Sequence, residues 1–269
     1  MRLALAQMDV EAGALDRNLD RALELIEDAV TAGADMVALP ELFDVGYFAF
    51  ERYARAAQPL DGPTLSRLAD AAADHGVALL AGTVVEDLGA SQDRGFRTPA
   101  AEGLANTAVL FDSGGTRRLV YRKHHLFGYG SAEQELLTPG ETLQTADIGG
   151  FTVGVTTCYD LRFPGLYREL VADGATLVLV PSAWPYPRVE HWKLFPRTRA
   201  AENLLYVAAV NGVGEFDDAA LLGRSAVYDP WGTKRAATGD EPGLAEADVD
   251  PGRVARRRAE FPALEDRRQ

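Results

Sequence analysis

Two distant segments of the chain share one shape. TAGADMVALPE (31–41) and ADGATLVLVPS (172–182) each close a helical pattern on Gly and Ala, pass through a short apolar strand and stop at Pro. Neither unit can bury its apolar strand alone, so the repetition calls for two βαβ-like halves packed on one another. The intervening pattern agrees with an α/β class. Residues 2–7 alternate as a strand, and Leu19, Ala22, Leu23, Ile26, Ala29 and Val30 recur at helical spacing, with Asp16 or Asn18 as the expected cap and Gly33 as the stop. A second helix is expected from Pro63 to Gly76, followed by the strand VALLAGTVV. NTAVLFD pairs with RRLVYRK as a hairpin, and SAVYDPWGTKR turns at Pro230 to Gly232. Residues 86–105 are polar and rich in Gly, Ala and Asp, and read as a long surface loop, either a lid or a tolerated insertion.

With 269 residues, 47% of them hydrophobic, the chain can bury a full core and is expected to form one domain over 1–269. A net charge of −13 argues against nucleic acid and anionic membrane as partners. The amino terminus lacks the apolar core of a signal peptide and no run reaches a membrane span, so a cytoplasmic protein is expected. One cysteine leaves no internal disulfide, and His75, His124, His125 and His191 have no ligand spacing, so neither metal nor cofactor is expected. Lys occurs only at 123, 193 and 234, which singles out Lys123 at a strand end.

The lone Cys158 lies in TTCYDLRFPG (156–165), after an apolar strand and before Pro164, a residue suited to the first turn of a helix. Unpaired N–H groups at a helix start favour a thiolate and any oxyanion beside it. A buried structural cysteine is the plain alternative. Glu41 and Lys123 also end strands, and each alone reads equally as a solvated surface charge. A Cys–His pair using His124 or His125 is weaker, because adjacent strand residues face opposite sides.

Together PELF (40–43), YRKHHLFG (121–128) and TTCYDLRFPG resemble the nitrilase superfamily of carbon–nitrogen hydrolases, marked by a Glu-Lys-Cys triad in that order. The likeness continues through NTAVLF, the TPG at 138–140, TRAAEN (198–203) and GRSAVYDPWG (223–232). It implies a four-layer αββα sandwich and a catalytic set of Glu41 as general base, Cys158 as nucleophile, and Lys123 with the Tyr159 N–H as oxyanion donors. A second glutamate six residues before Pro139 is implied at Glu133, with Glu135 as its rival. WPYPRVEHW (184–192), KHHLF and CYDLRFP look most like the ω-amidase branch, which acts on 2-oxoglutaramate or 2-oxosuccinamate. That substrate needs a cation for its carboxylate, for which Arg162 is the candidate, an ion pair within the fold being its alternative; Tyr47, Phe48 and Trp184 are candidate pocket walls. Pro196, ahead of TRAAEN, is expected to kink its helix or delay its start. The resemblance also implies a small-molecule amide substrate and a homodimer or higher homo-oligomer. N-carbamoyl amide hydrolase, aliphatic amidase and nitrilase share the triad, and a non-catalytic binding or scaffold protein is the alternative of another class.

Overall fold

The computed structural model describes residues 1–129, 131–217 and 219–267. The two repeated segments lie at the centres of two six-stranded sheets. In the first, β1 (Arg2–Gln7), β2 (Met36–Ala38) and β3 (Ala78–Asp87) run parallel, and β4 (Leu104–Phe111) and β5 (Arg117–Arg122) continue antiparallel. The late strand β14 (Gly243–Asp248) closes the other edge against β1. The second sheet repeats the plan. Its parallel centre is β7 (Phe151–Val155), β8 (Leu177–Ser182) and β9 (Tyr206–Asn211), flanked by β6 (Thr145–Ile148) on one side and β12 (Ala226–Tyr228) and β13 (Lys234–Ala237) on the other. A two-stranded ribbon, β10 (Val213–Phe216) and β11 (Ala219–Leu222), stands apart from both sheets.

Strand alternation decides how these sheets stack. Leu3 and Leu5 of β1 share one apolar cluster with Leu177 and Leu179 of β8, so the two sheets face each other. Ala4 and Ala6 turn the other way and pack with Leu19, Ala22, Ile26 and Ala29 of α1 (Leu15–Thr31). Two short helices, α2 (Tyr53–Ala56) and α4 (Leu88–Asp93), bracket the longer α3 (Pro63–His75), whose Leu65 and Leu68 join the same outer layer. On the far side, Val178 and Val180 meet Leu170 of α6 (Pro164–Ala172) and Trp192 of α7 (Val189–Asn203), which follow the one-turn α5 (Glu133–Leu136). The result is the four-layer αββα sandwich. The last helix, α8 (Pro251–Glu260), has Asp250 as its cap, the carboxylate accepting from the Gly252 N–H at 2.9 Å.

Two expectations change, and one of two alternatives for a third falls away. Neither Asp16 nor Asn18 caps α1, which begins after Ala14; Asn18 is buried within the helix and donates through Nδ2 to the carbonyls of Glu11 (2.7 Å) and Asp44 (2.8 Å). Residues 86–105 are not a loop throughout, because they include the end of β3, all of α4 and the start of β4. Asp87 caps α4 by accepting from the Ala90 N–H at 2.9 Å, a device that a helix too short for periodicity leaves unannounced. Pro196 sits inside α7 without delaying its start. Among the described residues, no helix is long and apolar enough to cross a membrane.

Candidate active site

Glu41 and Ser182 occupy matching positions of the repeated segments, one step beyond Pro40 and Pro181, and they meet: the Glu41 N–H donates to the Ser182 carbonyl at 3.3 Å. The turn that carries Glu41 presses against β3 at Gly82, a left-handed position (φ 54°) where a Cβ would come within 2.1 Å of the Pro40 carbonyl oxygen. Glycine therefore permits the approach. The next residue is tied down too, because the Leu42 N–H donates to the Thr83 hydroxyl at 2.8 Å.

Lys123 follows β5 and keeps its register by donating its N–H to the Asn106 carbonyl at 2.9 Å. Its Nζ lies 2.8 Å from Glu41 Oε1 and 2.8 and 3.0 Å from the two oxygens of Glu133. Asn106 spans the same pair, donating Nδ2 to Glu41 (2.8 Å) and Glu133 (3.2 Å). Glu133 also accepts from the Tyr47 hydroxyl at 3.1 Å and the Phe127 N–H at 2.7 Å. Glu135, two positions along α5, is exposed, so Glu133 is the glutamate that reaches Lys123. The remaining Glu41 oxygen accepts from the Ala183 N–H at 2.9 Å.

Cys158 is 8% exposed and adopts a left-handed backbone, φ 46°, unusual for a residue with a side chain. It starts a 3-10 turn, Cys158–Arg162, between β7 and α6, so the bend between the apolar strand and the helix that opens at Pro164 is a single 3-10 turn. Asp160 fixes that turn. Its buried carboxylate accepts from the Thr157 N–H (2.9 Å), the Tyr121 hydroxyl (2.6 Å) and the His125 N–H (3.0 Å). Arg199 of TRAAEN pins the other end by donating twice to the Leu161 carbonyl, at 3.0 and 2.9 Å. His125 is engaged by Asp160 at 2.8 Å, and His124 stacks on Tyr121, so both histidines have partners other than the thiol.

Burial governs the charges. It pushes the Cys158 thiol well above its usual range, and the nearby Glu41 carboxylate adds to the rise, so the resting group is a thiol despite local N–H groups that favour a thiolate. Burial also raises Glu41, against the opposing pull of Lys123 and with repulsion from Glu133. For Lys123 burial acts to lower the value, but the carboxylates of Glu133 and Glu41 outweigh it and hold the ammonium protonated. A raised acid beside a raised thiol is a pair between which a proton can move.

Asp44, just past Glu41, is buried, and its Oδ2 has no partner among the described residues. Burial raises its carboxyl from 3.8 to about 7. The folded state therefore holds this proton more tightly than the unfolded chain. The destabilisation is absent below about pH 4, grows as pH rises towards 7 and stays constant above it. Asp44→Asn is expected to stabilise the protein by ~1–3 kcal/mol at pH 8, after allowance for burying an amide, and to have no advantage at pH 4. Denaturant midpoints at the two pH values check this.

Cys158 and Lys123 open into a cavity of about 260 Å³. The three candidate walls, Tyr47, Phe48 and Trp184, line it, and so do Tyr159 and the candidate cation Arg162. Arg162 is not in an internal ion pair among the described residues; its Nη2 lies 3.1 Å from His191 Nδ1, and its guanidinium lies over Trp184 and Phe195, at 5.3 and 5.0 Å from the ring centroids. Sequence reading missed Asn106, Asp160 and Arg188, which lie inside the quoted motifs NTAVLF, CYDLRFP and WPYPRVEHW.

The family model described as carbon–nitrogen hydrolase matches residues 2–259. The chain is 32% identical over 280 residues to a 2-oxoglutaramate amidase of Paenarthrobacter nicotinovorans, covering 99% of this chain and 92% of that protein. It is also 32% identical over 276 residues to Omega-amidase NIT2 of Homo sapiens, with 99% and 95% covered. The crystal structure of Nit3 from Saccharomyces cerevisiae, a member of the nitrilase superfamily, superimposes with a TM-score of 0.88 at 29% identity, covering 100% of this chain and 97% of that one.

Proposed function

Because this chain belongs to the carbon–nitrogen hydrolase family of the nitrilase superfamily, we propose that it is an ω-amidase, releasing ammonia from the side amide of 2-oxoglutaramate or 2-oxosuccinamate. One observation carries the reading: the Cys158 thiol lies beside Glu41 while the Lys123 ammonium is held in place between two carboxylates, at the edge of a cavity that contains Arg162, which meets no carboxylate among the described residues. Two relatives bearing 2-oxoglutaramate amidase and ω-amidase names support the choice of acyl group.

In this mechanism Glu41 takes the thiol proton as Cys158 attacks the amide carbon, and the C–S bond forms as the carbonyl π pair moves onto oxygen. Lys123 and the Tyr159 N–H stabilise that oxyanion, and one preorganised donor of this kind is typically worth about 10²–10³ in rate. Glu41 then returns the proton to the leaving nitrogen, the C–N bond breaks, and a thioester remains on Cys158. Water enters, Glu41 takes its proton, and collapse of the second tetrahedral species releases the acid and the thiol. Glu133 keeps Lys123 protonated and aimed, and makes the role of Glu41 possible, since a carboxylate sharing its cation with a second carboxylate is less strongly quenched as a base.

Ammonia release from 2-oxoglutaramate, 2-oxosuccinamate, glutamine, propionamide, N-carbamoyl-β-alanine and 3-phenylpropionitrile tests the substrate. The 2-oxo acid amides are expected to exceed propionamide by about 10²-fold in kcat/KM, because a guanidinium–carboxylate bidentate pair at Arg162 has no counterpart in propionamide. Preference for the carbamoyl compound, propionamide or the nitrile would retain the triad and overturn the ω-amidase reading.

A further inference from the structure

The cavity contains a second arginine, Arg188. Its guanidinium lies 5.5 Å from the Phe127 ring centroid, and Phe127 packs edge to face on Tyr159 with centroids 5.0 Å apart. Tyr159 in turn lies under Arg162, at 5.8 Å. The two cations therefore stand at opposite ends of one short aromatic ladder. Ring faces hold a guanidinium without using its N–H donors, so the Arg188 fork has its donors available, and Arg162 keeps all but the Nη2 donor that meets His191. Trp184 restrains the backbone at this point by donating its indole N–H to the Arg188 carbonyl at 3.1 Å. Neither guanidinium meets a carboxylate, and no carboxylate lines the cavity, among the described residues. This concentration of positive charge occurs in a chain with a net charge of −13.

We propose that Arg188 is a specificity-determining residue that acts with Arg162 as a two-guanidinium clamp on the carboxylate end of the acyl group, distal to the scissile amide. One fork binds a carboxylate bidentately, while the second supplies donors to its other face and to an adjacent oxygen, such as the oxo group of a 2-oxo acid. The inference rests on the amidase reading but not on the identity of the acid, because any small amide with a distal carboxylate would engage the pair.

The test compares wild type, Arg188→Met and Arg188→Lys on 2-oxoglutaramate, N-carbamoyl-β-alanine and uncharged propionamide. For Arg188→Met, the ratio of kcat/KM on the best carboxylated substrate to that on propionamide is expected to fall about 10- to 100-fold, mainly through KM, with Arg188→Lys intermediate. Arg162→Met and the double variant complete a cycle, in which the combined loss is expected to be less than the product of the single losses if both bind one group. A ratio unchanged in Arg188→Met, or equal losses on charged and uncharged amides, would overturn the clamp while leaving the ω-amidase reading intact. A wild type that prefers N-carbamoyl-β-alanine, with the ratio lost in Arg188→Met, would overturn the ω-amidase reading and retain the clamp. A wild type with no preference for either carboxylated amide would overturn both.

Discussion

Cys158→Ala is expected to abolish ammonia release, lowering kcat by about 10⁴–10⁶-fold, while the protein folds and melts close to wild type. The first half follows from the proposed covalent route, in which no other side chain is positioned to attack, and loss of a nucleophile typically removes most of the chemical step. The second half follows from the packing. The thiol is a small group in a site whose shape is held by neighbours: Asp160 fixes the turn through three backbone and hydroxyl donors, and Arg199 closes it from α7. Trimming one sulfur removes little apolar contact, about 1 kcal/mol. Substantial turnover in a folded Cys158→Ala protein would remove Cys158 as the nucleophile, and a collapse of the fold would show the residue to be structural.

Lys123→Met is expected to fail on both counts. Activity should fall by at least about 10²–10³-fold through loss of the oxyanion donor. Stability should fall by about 3–5 kcal/mol at neutral pH, because Glu41 and Glu133 would remain buried without their shared cation. The sign of the pH dependence separates this from a packing defect. In the variant the two carboxylates repel without compensation, so their folded-state affinities for protons rise and the deficit grows as pH rises. Protonation of one of them in mild acid relieves it. Melting midpoints of Lys123→Met and wild type are thus expected to converge towards pH 5 and diverge towards pH 8. A deficit independent of pH would contradict the charge-sharing account.

What was legible in the chain divides along physical lines. Glu41 and Lys123 each stand at a strand end, which alone reads as well for a surface charge, and it was the resemblance of PELF, YRKHHLFG and TTCYDLRFPG to the nitrilase superfamily, taken in order, that singled them out. The repetition of 31–41 in 172–182 reported the pairing of two halves, and the meeting of Glu41 with Ser182 is its consequence in space. Asn106 was missed because it sits within an ordinary apolar strand, and its role depends on two carboxylates that come from distant segments. Local N–H groups favour a thiolate at Cys158, but burial, a property of the folded site that spacing does not report, outweighs them and keeps the thiol protonated. Residues 86–105 were misread because small and acidic residues suit a loop as well as they suit a single capped turn. Arg188 lies within the quoted WPYPRVEHW, but an arginine between two prolines and a helix is as compatible with solvent as with a pocket wall, so the motif alone did not single it out.

Intact-mass spectrometry of protein quenched in acid during turnover of 2-oxoglutaramate tests the central claim most directly. The expected result is a transient population heavier by the acyl group, mapping to the peptide containing Cys158, sensitive to hydroxylamine and absent from Cys158→Ala. Steady ammonia release from the wild type under rapid quench, with no acyl adduct on Cys158 at any time, would contradict hydrolysis through a cysteine thioester.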